Sequence, residues 1–365
     1  MGTAVSRDDI APEERLPASL LTGFLGSGKT TLLSKLLRQP ALAETAVVIN
    51  EFGEIGLDHL LVENAPEQTV LLDSGCLCCS IRGDLIDTLR SLFRRRVKGE
   101  VPPFKRVVIE STGLADPAPI LQTLMSDPLL ADRFRLDGVI TTIDAVNGMD
   151  QLDRHFESVK QAAVADRLVL TKTDLATPAQ LAVLQARLRQ LNPAAPQILA
   201  RQGEVDGGAL FDAGLFNPAL KTPDVQGWLR AEAYDPREAD EDHGHAHHHG
   251  HGHAHEQSAL DPNRHDAHIR AFCITAERPL DWQRFTRFIE TLIARDGDRL
   301  LRIKGILNVD GFDTPVAVHG VQHLFHPPAL LPAWPDADRR SRLVLIVKDL
   351  AEPRIRQEFS SVTAG

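Results

Sequence analysis

Long apolar runs are missing from this 365-residue chain. No stretch approaches the roughly 18 residues that a membrane-spanning helix requires, so no membrane association is expected. Positive charge is in short supply too: 40 Lys and Arg stand against 50 Asp and Glu, a formal net charge of -10. That balance argues against nonspecific nucleic-acid binding, which rests on neutralising phosphates. The N-terminal stretch MGTAVSRDDIAPEERLP carries acids and no apolar centre. It does not read as a secretory signal, and residues 1–15 are expected to form a disordered tail. The expected compartment is the reducing cytoplasm. Cysteine is scarce, 4 in all, yet three of them crowd into SGCLCCSI, residues 74–81. In a reducing compartment such a cluster points to metal binding or redox chemistry rather than structural disulfides.

The remaining composition, 43% hydrophobic and 25% charged, is ordinary for a globular protein. The length suits about two domains at roughly 150 residues each. From Leu16 to about Ala200, apolar runs (SLLTGF, AVVIN, TVLLD, RVVIEST, GVITTID, RLVLTK) alternate with amphipathic segments (TTLLSKLLRQ, DLIDTLRSLFRRR, AQLAVLQARLRQL). Continuous apolar strands separated by helices predict a mostly parallel sheet covered on both faces. This first domain is expected over residues 16–233. Residues 234–267 are acidic and then His-rich, with little to bury, and read as a flexible linker. From 268 to 365 a second pattern predicts a smaller α+β domain on an antiparallel sheet. Its segments are AFCITAE, FTRFIETLIARD, LLRIKGILNV, PVAVHGV and LVLIVKD. No internal repeat is visible.

Gly23-Phe24-Leu25-Gly26-Ser27-Gly28-Lys29-Thr30 fits G-x-x-x-x-G-K-[ST] between an apolar strand and a helix. Such a loop turns backbone N–H groups toward phosphate oxygens, and the helix presents its N-terminus to the same anion. Gly23, Gly26, Ser27, Gly28, Lys29, Thr30 and Thr31 are therefore candidate phosphate-site residues. Lys29 is expected to reach the β- and γ-phosphates, and the Thr30 hydroxyl to ligate Mg²⁺. This sets the fold class as α/β of the P-loop NTPase type. The sequence Thr171-Lys172-Thr173-Asp174 follows a strand. A carboxylate there accepts from guanine N1–H and its exocyclic amine, a donor pair adenine lacks, so Asp174 predicts GTP. Asn is usual where Thr171 stands. In RVVIESTG, Glu110 is a candidate to hold Mg²⁺ through water or to orient the attacking water. Gly113 is placed to sense the γ-phosphate. Asn50 to Asp58, NEFGEIGLD, reads as a switch-loop candidate or a plain surface loop.

Cys76, Cys78 and Cys79 are too close for all three to enter one core. Thiolates bind Zn²⁺ tetrahedrally at about 2.3 Å, and three leave a position that Glu54 or a client residue can fill. Softness favours Zn²⁺ or Cu(I). Cys76 to Cys79 also spells C-x-x-C ahead of a helix, a redox arrangement. Burial as small hydrophobes is the bland alternative. The tract with His243, His245, His247, His248, His249, His251, His253 and His255 is a second metal element, suited to capture on a flexible tether. Cys273 reads as core. His319 and His323 read as structural.

Taken in order, GFLGSGKTTLL, NEFGEIGLD, GCLCC, ESTGLADPAPI and TKTD resemble the CobW-type metallochaperone GTPases, relatives of the urease and hydrogenase nickel-insertion GTPases. RIKGILNVDG with PVAVHGVQHLF is similar to that family's C-terminal domain. The resemblance implies GTP hydrolysis, binding of zinc or cobalt at the Cys-x-Cys-Cys stretch, and delivery to a client. It leaves a homodimer open. One departure is Asp73-Ser74 before Gly75, where many relatives carry Asn. No arginine finger or water-orienting Gln is evident, so hydrolysis is expected to be slow without the client.

Overall fold

The computed structural model describes residues 15–50, 70–73, 81–211, 268–325 and 327–363. β1 (Leu16–Gly23) leads through the glycine loop into α1 (Lys29–Leu37). β2 (Thr45–Asn50), β3 (Val70–Asp73), α2 (Ile81–Val97) and β4 (Arg106–Ser111) follow. Next come α3 (Pro117–Ser126), α4 (Pro128–Arg133), β5 (Phe134–Asp144), α5 (Gly148–Arg154) and α6 (Phe156–Val164). β6 (Arg167–Thr171), α7 (Pro178–Leu191) and β7 (Gln197–Leu199) close the first unit.

These strands form a seven-stranded sheet, β3-β2-β4-β1-β5-β6-β7, in which every pair is parallel. Parallel strands need crossovers, and the crossovers bury both faces. Leu20, Val48, Val107 and Ile109 pack with Leu85, Leu89 and Leu121 on one face. Leu21, Val47, Val108 and Ile140 pack with Leu32, Leu33 and Leu36 on the other. Adjacent residues of one strand enter opposite cores because strand side chains alternate, which is why the strands read as unbroken apolar runs. Helix starts are set by short polar caps. Asp116, Asp127 and Thr177 accept from the N–H groups of Ala118, Leu130 and Gln180, each with a proline next in sequence. β5 reaches back beyond GVITTID, because the buried Asp137 in FRLD accepts from Ser19 Oγ at 2.8 Å.

The second unit contains β8 (Ile269–Ala276), α8 (Trp282–Asp296), β9 (Leu300–Leu307) and β10 (Val316–Val321). β11 (Leu324–Phe325), β12 (Ala329–Leu330), β13 (Ser341–Lys348) and α9 (Glu352–Phe359) complete it. Its sheet runs β11-β10-β9-β13-β8 with β12 on β10, all antiparallel. The architecture is thus the α/β parallel sheet plus antiparallel α+β unit expected from sequence. Leu343, Leu345 and Val347 of β13 pack against Phe285, Phe288 and Leu292 of α8. The intervening Ile346 points the other way, into a core with Leu152, Val159 and Leu168 of the first unit. Val321 likewise joins the core containing Leu89 and Phe134.

Charge also crosses this interface. Asp166, buried between α6 and β6, accepts from Arg302 Nη2 at 2.6 Å, from Lys304 Nζ, and from the Val139 N–H at 2.9 Å. Arg302 Nη1 also donates to the Val164 carbonyl. Burial alone would raise the Asp166 carboxyl, but Arg302 and Lys304 outweigh it and hold the group well below the usual carboxylate range. Burial pushes the Lys304 ammonium down to about 8, with Arg302 adding to the effect and Asp166 opposing it. No helix among the described residues is long and apolar enough to cross a membrane.

Candidate functional site

The carboxyl ends of β1, β4, β5 and β6 bring the predicted nucleotide residues together, where open parallel sheets hold ligands. Gly26 and Gly28 take φ of 72° and 88°, a region glycine enters without a Cβ penalty, and this curls the loop. Gly28 caps α1 without a side-chain hydrogen bond, so the helix meets the loop with bare backbone N–H groups. Gly23 lies against Thr142, with no room for a Cβ.

Two buried hydroxyls brace the loop from below. Ser27 Oγ and Thr142 Oγ1 are 2.6 Å apart, and Thr171 Oγ1 donates to the Ser27 carbonyl at 2.6 Å. Lys172, itself at φ 54°, donates to the Gly26 carbonyl at 2.8 Å and to Asp144 Oδ2 at 2.7 Å. Burial opposes ionisation of Asp144, but Lys172 and Asn147 outweigh it and hold the carboxyl below its ordinary value. Lys29 Nζ donates to the Gly23 carbonyl at 3.0 Å and to the Phe24 carbonyl at 3.4 Å. The structure therefore gives Thr171 and Lys172 loop-bracing contacts. Asp174 lies exposed past the strand, its Oδ1 accepting from the Gln202 N–H at 3.2 Å. Thr31 is exposed at the start of α1.

Thr30 Oγ1 donates to Glu110 Oε1 at 2.8 Å. Glu110 is buried at the end of β4. A hydroxyl and a carboxylate side by side at the phosphate end form the hard oxygen set that Mg²⁺ takes. The next loop packs tightly: a Cβ on Gly113 would stand 2.6 Å from the Leu25 amide nitrogen. Gln161 Nε2 on α6 donates to the carbonyls of Gly113 at 3.3 Å and Ala115 at 3.1 Å.

Sequence reasoning missed Thr142, Asp144 and Gln161. For Asp144 a signal existed, since IDAVN ends a strand and its carboxylate accepts from the Val146 and Asn147 N–H groups at 2.8 and 3.1 Å. Cys76, Cys78, Cys79, Glu54 and the eight histidines from His243 to His255 lie outside the described residues. Among the described residues, no group of three or more His, Cys, Asp or Glu is placed to hold a metal ion. Cys273 is core as expected, and burial pushes its thiol up to about 11. His319 is buried near Asp166, while His323 Nε2 pairs with Asp298 Oδ1 at 2.8 Å.

Comparison with known proteins accounts for both units. Residues 17–199 match the CobW/HypB/UreG nucleotide-binding domain, and residues 269–363 match the cobalamin synthesis protein cobW C-terminal domain. The zinc chaperone YjiA of Escherichia coli is 34% identical over 347 residues, covering 95% of this chain and 98% of that protein. The zinc-regulated GTPase metalloprotein activator 1 of Schizosaccharomyces pombe is 35% identical over 199 residues, 52% of this chain and 47% of that one. The Zn(II)-bound crystal structure of the E. coli YjiA GTPase superposes with a TM-score of 0.66 at 29% identity, covering 96% of this chain and 99% of the other. A Zn(II)-bound YjiA triple mutant, with one glutamate and two cysteines changed to alanine, superposes with a TM-score of 0.67. With a nucleotide-binding domain and a cobW C-terminal domain matched in order along one chain, this protein belongs to the CobW/HypB/UreG family.

Proposed function

We propose that this chain is a GTP-hydrolysing metallochaperone that holds zinc or cobalt at Cys76, Cys78 and Cys79 and passes it to a client protein. The observation that carries the GTPase half is the Thr30–Glu110 pair at 2.8 Å beside a phosphate loop braced by Ser27, Thr142 and Thr171. The names of the relatives, a zinc chaperone and a zinc-regulated GTPase activator, support the metal half.

In this reading the backbone N–H groups of residues 24–30 and the Lys29 ammonium bind the β- and γ-phosphates. Thr30 and Glu110 would hold Mg²⁺, which when bound neutralises charge on the phosphoryl oxygens. Glu110 also orients the water that attacks the γ-phosphorus, giving GDP and phosphate. Asp174, open to solvent past β6, reads guanine. The Gly113 N–H registers the γ-phosphate, and its loss on hydrolysis releases the loop. The cargo metal binds three thiolates, with the fourth position left to Glu54 or a client ligand, so an incoming ligand can displace it. Zinc in the YjiA variant lacking a glutamate and two cysteines supports auxiliary donors, here the histidine tract. The zinc-regulated relatives favour a second reading, a zinc-sensing GTP switch that regulates a partner without delivery.

Two variants test the halves separately. Lys29→Ala should abolish phosphate release from GTP, and a wild-type rate would refute the phosphate assignment. Replacing Cys76, Cys78 and Cys79 by Ser should remove stoichiometric tight zinc or cobalt binding in competition titrations. Retention of that site would refute the thiolate assignment.

A further inference from the structure

α6 connects the phosphate loop to the C-terminal unit. Its 9 residues span about 14 Å at the standard helical rise. At its start, the N-cap residue His155 stacks on Phe24 of the phosphate loop with ring centroids 4.5 Å apart. In its second half, Lys160 Nζ pairs with Asp116 Oδ2 at 2.7 Å, and Gln161 donates to the Gly113 and Ala115 carbonyls. The same loop, residues 113–116, is thus tied to α6 three times. At its end, the Val164 carbonyl accepts from Arg302 of β9. Lys348 of β13 reaches the other end, 3.8 Å from the Phe156 ring centroid.

Gln161 is a costly residue if packing were its only purpose. It is 0% exposed, and its Oε1 has no hydrogen-bond partner among the described residues. An apolar side chain of similar size would fill the space without burying an unpaired oxygen. What the amide adds is its hold on the Gly113 loop. Leu25 blocks one approach to Gly113, and Gln161 ties down its carbonyl. Between them they hold the loop in the setting seen here.

We infer that Gln161 is the positioning residue of the γ-phosphate loop, and that α6 makes this setting depend on how the C-terminal unit is seated. The inference rests on the proposed role of Gly113 in sensing the γ-phosphate. The carrier is physical: a short rigid helix held at one end by Arg302 and by Lys348 at the other, with the loop fastened to its middle. Coupling of this kind is reciprocal, so a partner that shifts the C-terminal unit alters discrimination between GTP and GDP, and nucleotide alters binding of that partner.

The test is equilibrium titration of the full chain, with Mg²⁺, by GDP and by a non-hydrolysable GTP analogue. Gln161→Met should weaken analogue binding about tenfold and leave GDP affinity within about twofold. A purely structural role would change both nucleotides alike or neither. Lys160→Met removes the partly exposed tether to Asp116 together with a cation 5.5 Å from the Phe156 ring centroid, leaves the core intact, and should move the same ratio about threefold. Arg302→Met should shift the ratio in the same direction, and its combination with Gln161→Met should fall short of the summed effects. Lys348→Met repeats the interface arm at a partly buried position if Arg302→Met unfolds. An unchanged ratio in both Gln161→Met and Lys160→Met overturns the positioning role. A ratio that responds to them but not to the interface variants overturns the coupling. Gly113→Ala serves as the reference, since its Cβ would meet Leu25. If it keeps the wild-type ratio, the γ-phosphate role of the loop fails, and the inference fails with it.

Discussion

Asp166→Ala should be among the most damaging single substitutions in the molecule. Asp166 is the carboxylate facing Arg302 and Lys304, and Arg302 is 3% exposed. Its removal leaves two cations in a dry interface and strips the Val139 N–H of an acceptor. Breaking a buried pair in this way costs about 3–5 kcal/mol, because an uncompensated charge stays behind. Urea unfolding followed by tryptophan fluorescence measures the loss, with Trp282 at the start of α8 as one reporter. The control replaces all three charges, Asp166→Leu with Arg302→Met and Lys304→Met. It should recover at least half of the loss, since an apolar cluster of similar volume avoids the desolvation entirely. A single-variant loss below about 1 kcal/mol, or a triple variant no better than the single, would refute the reasoning. The same cluster has a pH signature. Lys304 titrates near 8 in the folded protein and near 10.5 unfolded. Between those values the unfolded chain keeps a proton that the folded chain has lost, so stability rises with pH. The gain from this group is about 1 kcal/mol between pH 7 and pH 9. In Asp166→Ala the carboxylate that favours the charged ammonium is gone, so the rise begins at lower pH.

Three further outcomes follow from the site. Asp174→Asn should shift nucleotide preference from guanine toward xanthine in competition binding, and unchanged GTP selectivity would count against its role. Thr171→Val should weaken GTP binding about tenfold at little loss of solubility, because the Ser27 and Ile143 carbonyls lose their shared donor; wild-type affinity would show that the brace is idle. Deleting residues 243–255 should remove weaker zinc sites from a titration and leave the tight one, and loss of the tight site would move cargo binding to the histidines.

Much of this was legible because the chemistry is contiguous. The phosphate loop, the ESTG segment and TKTD each sit in one short stretch at a strand end. Their glycines and caps dictate local backbone before any tertiary contact forms. The braces were not legible, because they are single residues from distant strands. Thr142 meets Ser27 across 115 positions and Gln161 meets Gly113 across 48. α6 itself escaped notice: it is only 9 residues long, and its buried run Gln161-Ala162-Ala163-Val164 offers no large apolar side chain but Val164. The opening of β5 was hidden by Arg135 and Asp137, whose charges break an apolar run although Asp137 is buried on Ser19. The interface was not legible, since Asp166 and Arg302 lie 136 residues apart and nothing in RIKGILNVDG marks its first residue as the partner of a buried carboxylate.

The shared cores change what counts as a part of this protein. A His-rich segment in the middle of the sequence suggests two beads on a string, separable at will. Yet Ile269, Leu301 and Ile346 complete a core begun by Leu152 and Leu168, and Val321 completes another. Cutting the chain at that segment would leave two fragments, each with an oily scar and, on one side, a stranded pair of cations. Such halves invite aggregation or chaperone capture. The intact chain should therefore melt in a single transition, and the cooperative unit is the pair.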